Sequence, residues 1–205
     1  MARYRGPRLA RCRQVGVVLP GLTNVGELRR PFPPGQHGTR RKGKTSDYKE
    51  RLNEKQKLRF HYGILEKQFR RYVAEASRLK GPTGRNLITL LESRLDNVVW
   101  RLGLASTIPA ARQLVVHGHI VVDGVRTDRP SFQVEPGNTV AIHAKSKTKP
   151  FIQANLGVAA TRIRPGFLEL DPATAAGKML VKPEREDLPL QCNPQAIVEF
   201  YSQQL

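Results

Sequence analysis

Three places in this 205-residue chain combine residue types and spacings that chemistry uses. Gly38 to Thr45, GTRRKGKT, matches the G-x-x-x-x-G-K-[ST] pattern of a phosphate-cradling loop. Such a loop needs a buried strand before it and a helix after it, so that backbone N–H groups converge on phosphates. PFPPGQH precedes it here, and prolines lack the N–H donors of a central strand. Basic residues fill the loop, and no apolar strand ending in Asp follows to hold magnesium. The match therefore reads as a basic loop facing RNA. His117-Gly118-His119 is half a metal site, with Asp123 and His143 the near partners; a structural role or a phosphate contact fits it better. Cys12 and Cys192 lie at opposite ends, and Leu9 stands where a thiolate mate of Cys12 would be. Neither zinc, nor any other cofactor, nor a disulfide framework is expected, and a reducing compartment is the simplest setting. No G-x-S-x-G or H-E-x-x-H occurs, and carboxylates such as Asp96 and Asp128 have structural roles open to them, so no enzyme is expected.

Charge points elsewhere. Lys plus Arg number 35 against 17 Asp plus Glu, a net +18. Such an imbalance is self-repelling unless a polyanion is the usual neighbour. Nucleic acid is the first candidate and an anionic membrane surface the second. No apolar run approaches the length of a membrane span. The start, MARYRGPRLARCRQVG, lacks a signal-peptide core; it is Arg-rich like a transit peptide but has no Ser. Residues 1–60 hold 16 Lys/Arg and 4 Asp/Glu, so most of the excess is at the front. The expected phosphate contacts are Arg3, Arg5, Arg8, Arg11 and Arg13 in the arm, then Arg40, Arg41, Lys42 and Lys44 in the loop. Lys55, Lys57 and Arg59 follow on a helix. Arg94, Arg101, Arg112, His117, His119 and Arg126 complete the set around a helix-to-hairpin segment. The alternative for the later arginines is a solvated face with Glu92 and Asp96 as helix partners. RNA contact is preferred because the whole chain is cationic.

The elements that must position these groups follow from periodicity. Residues 1–45 show none, and RRPFPPGQHGTRRKGKT reads as irregular chain ordered against a partner. Ser46 caps an expected helix closed by Gly63. A second helix runs from Ile64 towards Gly81, with Ile64, Leu65, Phe69, Tyr72, Val73 and Ala76 on one face. Thr83 caps a third, whose stripe Leu87, Leu90, Leu91, Leu95, Val98, Val99 and Leu102 runs unbroken to Gly103. Ser106 caps a short fourth with Pro109 in its first turn, ending at Gly118. HIVVDGVRT then switches to strand, with Asp123-Gly124 a type I′ hairpin signal. Pro136-Gly137 is another turn and TVAIH another strand. Residues 144–192 are hard to read, apart from short strands at PGFLELDP and GKMLVKP. Asn193 caps a last helix with Pro194 in its first position.

RRPFPPGQHG, EKQKLRFHYG, LESRLDNVVWRLG and ARQLVVHGHIVVDG, in this order, resemble the family of the fourth protein of the bacterial-type small ribosomal subunit. The likeness is strongest over residues 29–63 and 90–137, returns in AIVEFYS, and is weak over 144–190. It implies that residues 94–157 form the RNA-binding module named after this family, a helical pair leading into a small sheet. The module also occurs in some pseudouridine synthases, a tRNA synthetase and a heat-shock protein, beside domains that this chain lacks. The resemblance further implies direct binding of small-subunit rRNA at a five-way junction in its 5′ domain, and nucleation of the subunit body. Ribosomal proteins three, five and twelve are the implied neighbours, with roles in decoding accuracy and at the mRNA entry channel. The implied location is the ribosome of a bacterial cytoplasm or chloroplast stroma. Many relatives hold zinc with four cysteines near the N-terminus; only Cys12 is present here. That departure implies a zinc-less form, as in cyanobacterial or plastid relatives, whose start MARYRGPR resembles. The arm would then be ordered by RNA.

The expected fold class is α+β: a mostly helical N-terminal part, an embedded small RNA-binding module of two helices plus a short antiparallel sheet, and a mixed C-terminal tail. The expected divisions are an arm at 1–45, a helical domain at 46–93 completed by the tail, the module at 94–157, and the tail at 158–205. The expected function is that of a structural, non-enzymatic constituent of the small ribosomal subunit. The alternatives are a stand-alone RNA-binding or RNA-modifying protein with the same module, and a helix-turn-helix DNA repressor.

Overall fold

The computed structural model describes residues 4–40, 44–159, 164–171 and 174–202. In chain order its elements are α1 (Arg8–Val15), α2 (Asp47–His61), α3 (Glu66–Arg78), α4 (Thr83–Glu92), α5 (Leu95–Arg101), α6 (Ile108–Val116), β1 (Ile120–Val122), β2 (Val125–Arg126), β3 (Thr139–Ile142), α7 (Pro150–Ala159), β4 (Leu168–Asp171), β5 (Ala176–Met179) and α8 (Pro194–Ser202). A 3-10 turn covers Ala144–Ser146. The chain is α+β, and it divides into two compact units: Met1–Leu87 with Pro189–Leu205, and Ile88–Leu188.

In the first unit, α1 corrects the expectation of irregular chain up to residue 45. Pro7 enters it with extended backbone, and Gly16 closes it by donating its N–H to Cys12 O at 2.9 Å. Cys12 is its only buried residue, so no apolar stripe announces the helix. Cys12, Leu19 and Leu22 are nevertheless buried, which gives the arm an apolar foothold of its own. Ser46 sits at the N-cap of α2 without a side-chain capping bond. The next helix begins at Glu66, later than expected, with Leu65 extended before it; Phe69, Tyr72, Val73 and Ala76 form its buried face. α8 packs on α2. Asn193 Oδ1 accepts from Gln195 N at 3.1 Å, with Pro194 at the first helical position, as expected of a cap. Glu66 ties three elements together: it accepts from Lys55 at 3.0 Å, Arg59 at 3.1 Å and the Tyr201 hydroxyl at 2.6 Å. Burial and the Glu66 carboxylate push the Tyr201 phenol up.

The single helix expected between Thr83 and Gly103 is two helices, α4 and α5. Arg94 between them is extended (φ −65°, ψ 137°). The local reason is strand-like pairing with residues 130–134. Val134 N donates to Ser93 O at 2.8 Å, Leu95 N to Phe132 O at 2.9 Å, and Asp96 N to Pro130 O at 3.2 Å. The cap of α6 is Thr107 instead of Ser106; its hydroxyl accepts from Ala110 N at 3.3 Å.

The second unit is built around an antiparallel sheet of order β2-β1-β3-β5-β4. Ile120 faces Ile142 and Val122 faces Val140 across the β1–β3 ladder. All four are buried, together with residues of α5 and α6. The Asp123-Gly124 turn has the two positive φ values (48° and 81°) of a type I′ hairpin. The Asp123 carboxylate ties the tip down by accepting from Asn138 Nδ2 at 2.6 Å and Thr139 N at 2.7 Å. The expected pair of late strands is present and enlarges the sheet; α7 was not expected.

One position in this sheet admits no side chain. A Cβ at Gly177 of β5 would lie 2.4 Å from Leu102 Cδ2, and Leu102 is itself fully buried. Gly177→Ala is expected to destabilise the fold by about 1–3 kcal/mol through overpacking. Urea denaturation checks this, and an unchanged midpoint would mean that Leu102 swings aside freely.

Candidate nucleic-acid interface

The expected RNA contacts separate into arginines bound to buried carboxylates and an exposed edge. Arg94 is only 1% exposed. It donates Nε and Nη2 to Asp96 at 3.0 and 2.8 Å. Arg112, on α6, donates Nε and Nη2 to the same carboxylate at 2.9 and 2.6 Å. Burial pushes the Asp96 carboxyl up, and the two guanidinium groups more than reverse this, holding it below the usual range. Arg101 grips the buried Glu92 at 3.1 and 2.9 Å and also donates to Asp187 O at 2.7 Å. Asn97 adds a bond to Glu92 at 2.7 Å. Lys55 is buried against Glu66 and lies 4.4 Å from the Phe200 ring. Arg94, Arg101, Arg112 and Lys55 were expected at phosphates; here each is paired with a carboxylate of the protein, Arg94 and Arg112 with Asp96, Arg101 with Glu92 and Lys55 with Glu66. The pairing with Glu92 and Asp96 is present, with both carboxylates buried instead of on a solvated face.

Other candidates divide by placement. Arg11 stacks 3.4 Å from the Tyr4 ring centroid and 4.4 Å from that of Phe60. Arg13 donates to the carbonyls of Phe32 and Pro33 at 3.0 and 3.2 Å. Arg59 is paired with Glu66, and Lys57, half-buried, with Glu54. Arg5, Arg8, Arg40 and Lys44 are exposed. Arg3, Arg41 and Lys42 lie outside the described residues. Residues 29–37, before the phosphate-loop pattern, hold turns and bends and no strand.

The exposed edge is formed where α6 meets the sheet. His117 caps the end of α6, and Arg126 of β2 donates to its carbonyl at 3.3 Å. The rings of His117 and His119 stand 6.1 Å apart. Nδ1 of His119 lies 2.9 Å from Ser146 Oγ. Partial burial, then Lys149, His117, Arg126 and His143, hold the His119 imidazole below its ordinary pKa. His143, which the sequence offered only as a metal partner, and Lys149, which it did not mark, thus join the edge. His143 pairs next to β1, its N–H donating to His119 O at 2.8 Å, and that register was the available signal. Asp123, the near carboxylate offered by the sequence, is committed to the hairpin. Among the described residues no group of three or more His, Cys, Asp or Glu is arranged to hold a metal ion.

Two family models meet where α4 breaks from α5. The Ribosomal protein S4/S9 N-terminal domain matches residues 3–92, and the S4 domain matches residues 93–140. Small ribosomal subunit protein uS4 of Nostoc punctiforme is 50% identical over 204 residues, covering 100% of each chain. The chain belongs to the uS4 family. The uS4 of Rippkaea orientalis is likewise 50% identical, over 98% of each chain. That of Geobacillus stearothermophilus is 48% identical over 98% of this chain and 100% of its own. The uS4 family is one of structural ribosomal proteins, not enzymes. Its S4 domain here supplies α5, α6, the hairpin and the start of β3. Among the described residues, no helix of this uS4-family chain is long and apolar enough to cross a membrane.

Proposed function

We infer that the chain is a structural constituent of the small ribosomal subunit that binds its rRNA by electrostatic anchoring on a preformed module. Full-length identity to uS4 proteins carries this reading. The exposed base-rich edge supports it, because RNA helices are recognised through shape and phosphates. The contacts proposed are Arg5, Arg8, Arg40 and Lys44 of the arm and loop, with His117, His119 and Arg126 of the edge. The proposed module is residues 94–157, flanked by the arm at 1–45, the helical part at 46–93 and the tail at 158–205. In finer terms, the protein nucleates the subunit body, neighbours ribosomal proteins three, five and twelve, and borders the mRNA entry channel. The supporting argument for these is the family resemblance of the motifs.

The purified chain is expected to sediment with small subunits and to remain through a moderate salt wash. Loss at the wash, or preference for duplex DNA over small-subunit rRNA, would overturn the reading. Turnover of a modified uridine by the purified chain would replace it with the enzymatic alternative.

A further inference from the structure

The edge that carries the histidine pair also presents a side chain that phosphate binding leaves unexplained. Phe151, in the first turn of α7, is 47% exposed. Ile152 beside it is fully buried and anchors the helix, so Phe151 is held on the surface by a fixed neighbour. The Phe151 ring stands 5.8 Å from that of His119, centroid to centroid, at an interplanar angle of 63°. His119 is in turn fixed by Ser146 and by the backbone bond from His143. The two rings make an open corner, not a closed stack. His117, Arg126, His143 and Lys149 surround His119 closely enough for their charges to act on it, and every one is a base.

A half-exposed aromatic face among bases matches a nucleotide whose base lies outside a helix. The base stacks on the ring while the flanking phosphates meet the cations. Paired RNA keeps its base faces covered, so a duplex would use the charges alone. We propose that Phe151 and His119 form a stacking site for an unpaired RNA nucleotide, with His117, Arg126, His143 and Lys149 receiving its flanking phosphates. The site rests on the rRNA-binding reading and specifies which part of the RNA meets this edge.

The test titrates the full chain with short single-stranded oligoadenylate and with a fully paired RNA duplex of the same length. Phe151→Ala is expected to weaken oligoadenylate binding by about 5- to 150-fold and to leave duplex affinity unchanged. Phe151→Leu, which keeps apolar bulk but has no π face, should bind as weakly as the alanine variant. Phe151→Trp should retain affinity, and its added fluorescence should be quenched by the single strand and not by the duplex. Unchanged oligoadenylate affinity in the alanine or leucine variant, equal losses on both ligands, or an unquenched tryptophan would each overturn the site. A small-subunit rRNA transcript titrated alongside separates the two levels. If the transcript binds with steep salt dependence while Phe151 is indifferent, the stacking site alone falls. If it binds no better than duplex DNA, the rRNA reading falls as well.

Discussion

Replacing Asp96 by alanine is expected to destabilise the second unit by about 3–5 kcal/mol, the cost of leaving a buried charge without its partner. Asp96 is fully buried and serves Arg94, which has almost no exposure, and Arg112. It also accepts from Asn97 N at 3.0 Å, at the start of α5. Its loss would take two hydrogen bonds and the paired charge from the buried Arg94 guanidinium, at the point where α4 breaks and where residues 130–134 pair with the chain. Asp96→Asn keeps the shape and removes the charge, so it should share most of the defect. The acid dependence has a definite sign. The folded pKa of Asp96 lies below its unfolded value of about 3.9, so its contribution is full above that value and is lost as pH falls through the lower folded pKa. Urea denaturation at neutral and acid pH checks both statements. The gap between wild type and Asp96→Asn should narrow on acidification; wild-type midpoints in the variants at neutral pH would remove Asp96 from its central place.

Affinity for small-subunit rRNA is expected to fall by about 10³–10⁵-fold between 50 and 200 mM salt if six to ten phosphates are neutralised. The chain carries a net +18, but several of its arginines are paired with buried carboxylates. The salt response must therefore come from exposed groups such as Arg126. Arg126→Ala should lower the logarithmic salt slope by about 1. Arg112→Ala should change the denaturation midpoint while leaving that slope nearly as it was, because its charge is directed at Asp96. Filter binding over a salt series measures both. A flat response, or a slope that drops for Arg112→Ala and not for Arg126→Ala, would reverse the division between frame and edge.

The hairpin centre was legible because its signals are local. Three β-branched residues, Asp-Gly, and a return strand two turns later leave little choice, and the observed register follows them. The last helix was legible for the same reason, through Asn193-Pro194. The α4–α5 break was not, since Leu91, Leu95 and Val98 continue the helical spacing across it. Pairing with residues some forty positions downstream decides it, and no local pattern carries that information. The arginine pairings were hidden in the same way. A cation sixteen residues from its carboxylate looks solvated until the fold brings the two together, as with Arg112 and Asp96. α1 escaped notice because a helix that buries one cysteine has no periodicity to read.

The partnership of α8 with α2 bears on the order of manufacture. Chains emerge N-terminus first, and a leading domain ordinarily finishes folding while the rest is still being made. Here α8 is synthesised only after all of Ile88–Leu188, yet it belongs to the unit that contains residues 1–87. The later unit can close first. The face of α2 that α8 covers, with Glu54 awaiting Asn193 and Arg51 awaiting Glu199, stays open until α8 has been made. During that interval the unit of Ile88–Leu188 can be complete while the first unit is still unsealed.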